Sequence, residues 1–343
     1  MIRLRRSSRQ RAARSTGALT LALVAAVIMA GCSTTEDARS NVAAGQPGFG
    51  TADEATAKLG SAAAPGEFPR TVTHAMGTVE IPAKPQRVVV LDTGELDSVL
   101  SLGITPVGMA TTLGASPVPT YLADRLEGVA SVGSIQEINL EAIAELRPDL
   151  ILGSQLRVEK LYAQLAEIAP TVLSIRPGFP WKENHLLVGA ALGMENEVTA
   201  ALTSYADAID RLKSEVEGEP TISLVRFLPD RLRLYGNKSL LGVILRDAGL
   251  ARPAKQDIDD LAVEISAENI ADADGSVIFY TSYGAPDATG ETTVVNGAGW
   301  KALPAVAAGK SFRVNDDVWF LGLGPIGAEL IVADLGKLLT PLP

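Results

Sequence analysis

The chain has 343 residues, 47% hydrophobic and 20% charged, with 30 basic against 40 acidic side chains, one cysteine and two histidines. A single cysteine excludes an intramolecular disulfide and a Cys-based zinc or iron–sulfur site, and two histidines exclude a three-histidine metal cage. The acidic balance argues against attraction to nucleic acid or to an anionic membrane surface.

The amino-terminal stretch carries six arginines (Arg3, Arg5, Arg6, Arg9, Arg11, Arg14) and no acid, then an apolar run from Ala18 to Ala30, Gly31 and Cys32. Basic region, short apolar region and small residues are the layout of a secretory signal, expected over residues 1–31. The run is shorter than the ~20 residues that span a bilayer. A lone thiol just after the small residues marks Cys32 as the lipidated first residue of a mature lipoprotein, although Met29 stands where such signals usually have leucine. The mature chain then has 24 basic and 40 acidic residues, a balance of −16. Residues 32–69 are rich in Ala, Gly and Ser with few large apolar side chains, and are expected to form a flexible tether.

From residue 70 onward about 270 residues remain, enough for two lobes with real cores. Arg87–Asp92 is a β-branched run suited to a buried parallel strand. A helix over 95–102, a strand around 104–108, a helical period over 143–147 ending at Pro148, and a strand over 149–153 follow. An amphipathic helix over 156–169 leads to a strand over 171–175. Strands alternating with helices predict an α/β lobe with a parallel sheet over residues 70–194. In the next segment Val198, Leu202, Tyr205, Ile209, Leu212 and Val216 recur at spacings of 4, 3, 4, 3 and 4, with no Gly or Pro between 195 and 217. That pattern predicts one long interlobe helix of ~30 Å with an apolar stripe, a connection that restricts hinge motion. The strand–helix rhythm restarts in residues 218–343, with strands over 221–227, 232–235, 276–281 and 311–314, a helix over 239–248 and a last helix over 327–339.

The two halves share an echo. Glu141-Ala-Ile-Ala-Glu and Glu268-Asn-Ile-Ala-Asp each precede a buried strand at the same offset, with Asn139 or Ser266 as candidate N-cap. A carboxylate in the first turn of one helix per lobe points to two equivalent outward surfaces.

No catalytic constellation is present. Gly322-Leu-Gly-Pro-Ile-Gly327 matches G-x-G-x-x-G but lacks the following βαβ unit and acid, so it is expected only to turn the chain into the last helix. There is no Walker A sequence and no G-x-S-x-G elbow. What remains is Arg and aromatic residues near strand ends, where α/β sheets bind ligands: Arg157, Arg176, Trp181, Arg226, Tyr280, Tyr283 and Trp319. Arginine pairs with anionic oxygens and aromatic rings stack on flat surfaces. Trp300, His74 and His185 are assigned to packing.

Taken in order, His74-Ala-Met-Gly-Thr, Pro85-Gln-Arg-Val-Val-Val, Leu102–Gly108, Asn139–Ile151, Ile168-Ala-Pro-Thr171, the long helix, Trp319 and Gly324–Ala328 resemble the ferric-siderophore substrate-binding lipoproteins of ABC importers over residues 70–340. The resemblance implies the class III periplasmic-binding-protein fold, two parallel-sheet α/β lobes joined by one long helix with a ligand cleft between them. It implies Glu141 and Glu268 as docking points on a dimeric permease that works with an ATPase. It also implies a monomer that contacts a ferric siderophore through Arg157, Trp181, Arg226, Tyr283 and Trp319, with Tyr235 and Tyr280 as further candidates. Iron wrapped in its chelator needs no protein ligand, so no metal site or cofactor is expected. The same fold carrying haem or cobalamin, and an envelope signalling or interaction lipoprotein without transport, are the alternatives.

Overall fold

The structure, a computed structural model, describes residues 49–113 and 116–339. Cys32 and the apolar run before it lie outside the described residues. Among the described residues no helix is long and apolar enough to cross a membrane.

A three-stranded antiparallel sheet comes first: β1 (Gly60–Ser61), β2 (Arg70–His74) and β3 (Gly77–Ile81). Two five-stranded sheets follow. The first has β4 (Val88–Val90), β5 (Gly108–Thr111), β6 (Ala130–Ser134), β7 (Leu150–Ser154) and β8 (Thr171–Ser174), all parallel, in the order β6-β5-β4-β7-β8. The second has β9 (Ile222–Leu228), β10 (Arg231–Tyr235), β11 (Ala262–Ile265), β12 (Val277–Ser282) and β13 (Ser311–Arg313), in the order β11-β10-β9-β12-β13. The order is the same in both: third, second, first, fourth, fifth strand of the sheet. They differ in one respect, since β10 runs antiparallel to β9 and β11. The cause is local: only Pro229 and Asp230 separate β9 from β10, and Asp230 takes a left-handed φ of 65° that closes a tight turn.

Alternate residues of each first strand feed opposite cores, as a sheet covered on both faces requires. Val88 and Val90 join one cluster with Leu96 and Leu152, while Val89 and Leu91 join Ile143 and Ile151 on the other face. In the second sheet Leu224 and Phe279 face the long-helix side, and Val225, Phe227 and Ile278 face Trp300.

The long helix spans Glu195–Glu215 and buries Val198, Tyr205, Ile209 and Leu212. It packs against the last helix, Pro325–Leu339, and against the helix Trp181–Leu192. The glycine-rich turn enters the last helix as expected. Its Gly324 lies against Asp97 of the helix Thr93–Ser101, where an added Cβ would come within 2.6 Å. Asp97 accepts from the backbone N–H of Ile326 (2.7 Å) and Gly327 (3.0 Å) and from the hydroxyl of Tyr121 (2.6 Å). The anion at this helix N-terminus is thus the chain's own carboxylate, which ties the last helix to the first lobe.

Two expectations need correction. A tether running from 32 to 69 does not hold from residue 49 on. Phe49 is buried, a short helix covers Ala52–Thr56, β1 pairs with β2, and Arg70 donates from its buried guanidinium to Glu195 (2.6 Å) and to the Ala190, Ala64 and Glu67 carbonyls. One aromatic ring and one well-paired arginine supply the burial that composition alone does not reveal. The helix expected over 156–169 is also broken, into Gln155–Val158, a 3-10 turn over Glu159–Leu161, and Tyr162–Ile168.

Candidate functional site

In both sheets the strand order reverses direction beside the first strand, at β4/β7 and at β9/β12. Ligand crevices of α/β sheets open at the carboxyl ends of such strand pairs. The first pair ends at Asp92 and Ser154. Asp92 caps the helix Thr93–Ser101 by accepting from Thr93 N–H (2.8 Å), and its other oxygen accepts from the Ser154 hydroxyl (2.6 Å). Arg157 Nε lies 3.4 Å from that same oxygen. Beside them the Ser174 hydroxyl, at the end of β8, donates to Glu95 (2.6 Å). Asp92, Glu95, Ser154 and Ser174 are all buried. Burial, and after it repulsion from Asp92, pushes the Glu95 carboxyl up to about 7. Arg176 is the second cation of this wall. Burial, then repulsion from Arg157, lowers it to about 10, and Asp92 opposes the shift. Two guanidiniums thus stand beside two buried carboxyls, Asp92 in contact with Arg157 and Glu95 raised by burial.

The second wall forms around Arg226, near the end of β9. Its guanidinium grips Asp316 with two bonds, Nε to Oδ1 at 2.7 Å and Nη2 to Oδ2 at 2.5 Å. Nη1 reaches the Tyr235 hydroxyl at 3.3 Å, and the rings of Tyr283 and Phe320 lie 4.6 and 5.1 Å from the guanidinium carbon. At the end of β12, Ser282 donates to Glu291, which also takes a 2.6 Å ion pair from Arg313. Each wall adjoins a contact between the lobes. The carbonyl of Leu323 lies 3.2 Å from where a Cβ on Gly94 would stand, and Thr120 N–H donates to Asp317 (3.1 Å). The Asp92 and Arg226 clusters therefore flank the same interlobe junction.

The expected contact residues divide. Arg157 lies in the first wall and Arg226 and Tyr283 come together in the second, while Tyr235 reaches Arg226 through its hydroxyl with its ring buried against Phe320 at 4.7 Å. Trp181 and Trp319 do not line it. Both are 1% exposed. Trp181 packs edge-on against Tyr205 of the long helix at 4.8 Å, and Trp319 packs on Phe279 at 4.7 Å with its indole N–H on Asp334 (3.2 Å). Tyr280 points to the other face of the second sheet, where its ring meets Trp300 at 5.0 Å. The physical reason is the period-two alternation of strands: Tyr280 follows the core residue Phe279, so it must face the opposite way. Trp181 opens a helix most of whose residues are buried. Sequence reasoning missed Asp92 and Asp316, which pair with Arg157 and Arg226, and Glu95, which Ser174 holds beside them. Asp316 is 90 residues from Arg226, and nothing local signals the pair.

Glu141 and Glu268 are exposed. Glu141 lies in the first turn of Leu140–Glu145, capped by Asn139 Oδ1 accepting from Ala142 N–H (3.0 Å). Glu268 lies in the first turn of the 3-10 helix Ala267–Ala273, where Ser266 makes no cap and instead donates to Glu268 itself (3.3 Å). Each element leads into the fourth strand of its sheet, β7 or β12, so the two carboxylates are topologically equivalent. Among the described residues no group of three or more His, Cys, Asp or Glu side chains could hold a metal ion.

Residues 88–318 match the periplasmic binding protein family, and the chain belongs to it. It is 38% identical over 280 residues to the Bacillus subtilis protein named probable siderophore-binding lipoprotein YfiY, covering 78% of this chain and 86% of that one. It is 27% identical over 327 residues to the Fe(3+)-citrate-binding protein YfmC of the same organism, covering 93% and 95%. Staphylococcus aureus SirA, in its crystal structure with staphyloferrin B, superposes with a TM-score of 0.71 at 32% identity, over 78% of this chain and 98% of SirA.

Proposed function

We propose that this protein is the extracytoplasmic, lipid-anchored substrate-binding component of an ABC importer, and that it captures a ferric siderophore in the cleft between its lobes for delivery to a membrane permease. The observation that carries this reading is that both lobes place arginines near the carboxyl ends of their parallel strands, Arg157 and Arg176 in the first and Arg226 beside the Tyr283 ring in the second, with contacts between the lobes next to each group. Relatives that match over most of this chain are named for binding siderophores or ferric citrate. Guanidinium groups suit the anionic oxygens of an iron chelate, and tyrosine rings suit its flat organic parts. Cys32 would hold the protein at the membrane, and Glu141 and Glu268 would meet two equivalent permease subunits. Because the chelator would satisfy the iron, the protein's part is to bind, orient and release.

Calorimetric titrations against ferric citrate, ferric staphyloferrin B and representative ferric hydroxamate and catecholate chelates test the reading. Saturable binding of at least one is expected. Binding of none would overturn it.

A further inference from the structure

Phe49 is the only aromatic residue between Cys32 and Phe68, and it is not idle. Its ring is buried edge-on against Phe179 at a centroid distance of 5.3 Å. The guanidinium carbon of Arg176 sits 4.1 Å from the centre of the Phe49 ring and 5.6 Å from that of Phe179. Arg176 Nε donates to the Pro177 carbonyl, and among the described residues no carboxylate forms an ion pair with it. Its charged neighbours are the other members of the first wall, Arg157 and Asp92. A guanidinium held by ring faces keeps its charge out of a direct ion pair, whereas Arg226 spends its charge on Asp316. Four residues further on, Asp53 pairs with Lys238 at 3.3 Å, and the Lys238 ammonium lies 4.9 Å from the centre of the Phe179 ring. Lys238 belongs to the second lobe, between β10 and the helix Leu240–Asp247. Ala52 and Thr56, on the same short helix, are buried.

We propose that Phe49–Thr56 is an interlobe strap: Phe49 is a positioning residue that presents the Arg176 guanidinium to an anionic ligand in the cleft, and Asp53 fastens that arrangement to the second lobe through Lys238. This rests on the function proposed above. Strap docking and ligand binding are then coupled through one side chain, and the coupling is reciprocal. A ligand that engages Arg176 holds the strap in place, and loss of the strap weakens the ligand.

The test uses whichever of ferric citrate and ferric staphyloferrin B binds the wild-type protein, with affinity measured at several salt concentrations. Phe49→Leu keeps an apolar side chain but removes the ring face. It is expected to weaken binding about threefold to tenfold and to flatten the salt dependence as Arg176→Gln does. Phe49→Tyr, which restores the ring, should recover affinity. In an Arg176→Gln background Phe49→Leu should cost nothing further, because the two act as a unit. A purely structural role would lower affinity equally in both backgrounds and leave the salt dependence unchanged. Wild-type protein that binds neither probe would overturn the inference together with the assignment of these ligands. Wild-type binding that Phe49→Leu leaves intact, or a loss that adds to that of Arg176→Gln, would overturn the strap alone.

Discussion

His185 lies in the helix Trp181–Leu192 with no exposed surface and no hydrogen-bond partner for either ring nitrogen among the described residues. Burial lowers it to about 4. In the unfolded chain it titrates near 6.5, so its contribution to stability is present above that value and is lost as pH falls towards 4. Glu95 has the opposite sign. Its folded value is raised to about 7, so its contribution is present below the usual carboxylate range and is lost as pH rises through 7. The two contributions therefore run in opposite directions with pH. Denaturant unfolding of single variants should separate them. His185→Leu is expected to gain stability relative to wild type at pH 5 more than at pH 8, and Glu95→Gln the reverse. Equal effects at both pH values would contradict the burial argument. These residues also mark the limit of what sequence discloses. That His185 is structural was legible, because a lone histidine in an apolar stretch is seldom a ligand. That Trp181 and Trp319 are core was not, because a large aromatic near a strand end fits a core and a cleft equally until the side of the ring is known.

Periodicity and punctuation carried the elements well. The alternating spacing of 3 and 4 predicted the long helix, and Val198, Tyr205, Ile209 and Leu212 are its buried stripe. The shared motif that opens with Glu141 and Glu268 leads into the fourth strand of two sheets of identical strand order. The failures came where a few long-range contacts outweigh composition. Phe49 and Arg70 fold a stretch that reads as linker, since their partners Phe179 and Glu195 lie more than a hundred residues away. The glycine-rich turn shows the same dependence. Its sequence excluded a nucleotide, but only the fold supplies Asp97 as the group at the helix N-terminus. Asp97→Asn puts an amide N–H group where two backbone donors and a hydroxyl now meet two acceptor oxygens. It is expected to destabilise the protein by about 1–3 kcal/mol, read as a lower urea midpoint. An unchanged midpoint would show that the last helix does not depend on this cap.

At the scale of the molecule, two like lobes are braced by the long helix, by the last helix packed across them, and by the Asp97, Thr120–Asp317 and Asp53–Lys238 contacts. Such bracing favours small adjustments of the cleft over wide hinge opening. The proposed delivery to a permease uses a surface separate from the proposed ligand site. Glu141→Ala combined with Glu268→Ala is expected to leave ligand affinity within about twofold, since exposed substitutions far from a site add little, while abolishing uptake of the iron chelate in cells lacking the native protein. Unimpaired uptake would contradict permease docking through these carboxylates. The most direct test of cleft capture is calorimetric titration of the wild type and of Arg157→Ala with ferric staphyloferrin B and ferric citrate. One bound chelate per chain is expected for at least one of them, weakened about tenfold or more in the variant by loss of a charge-assisted contact. An absence of binding, or binding indifferent to Arg157, would contradict the account.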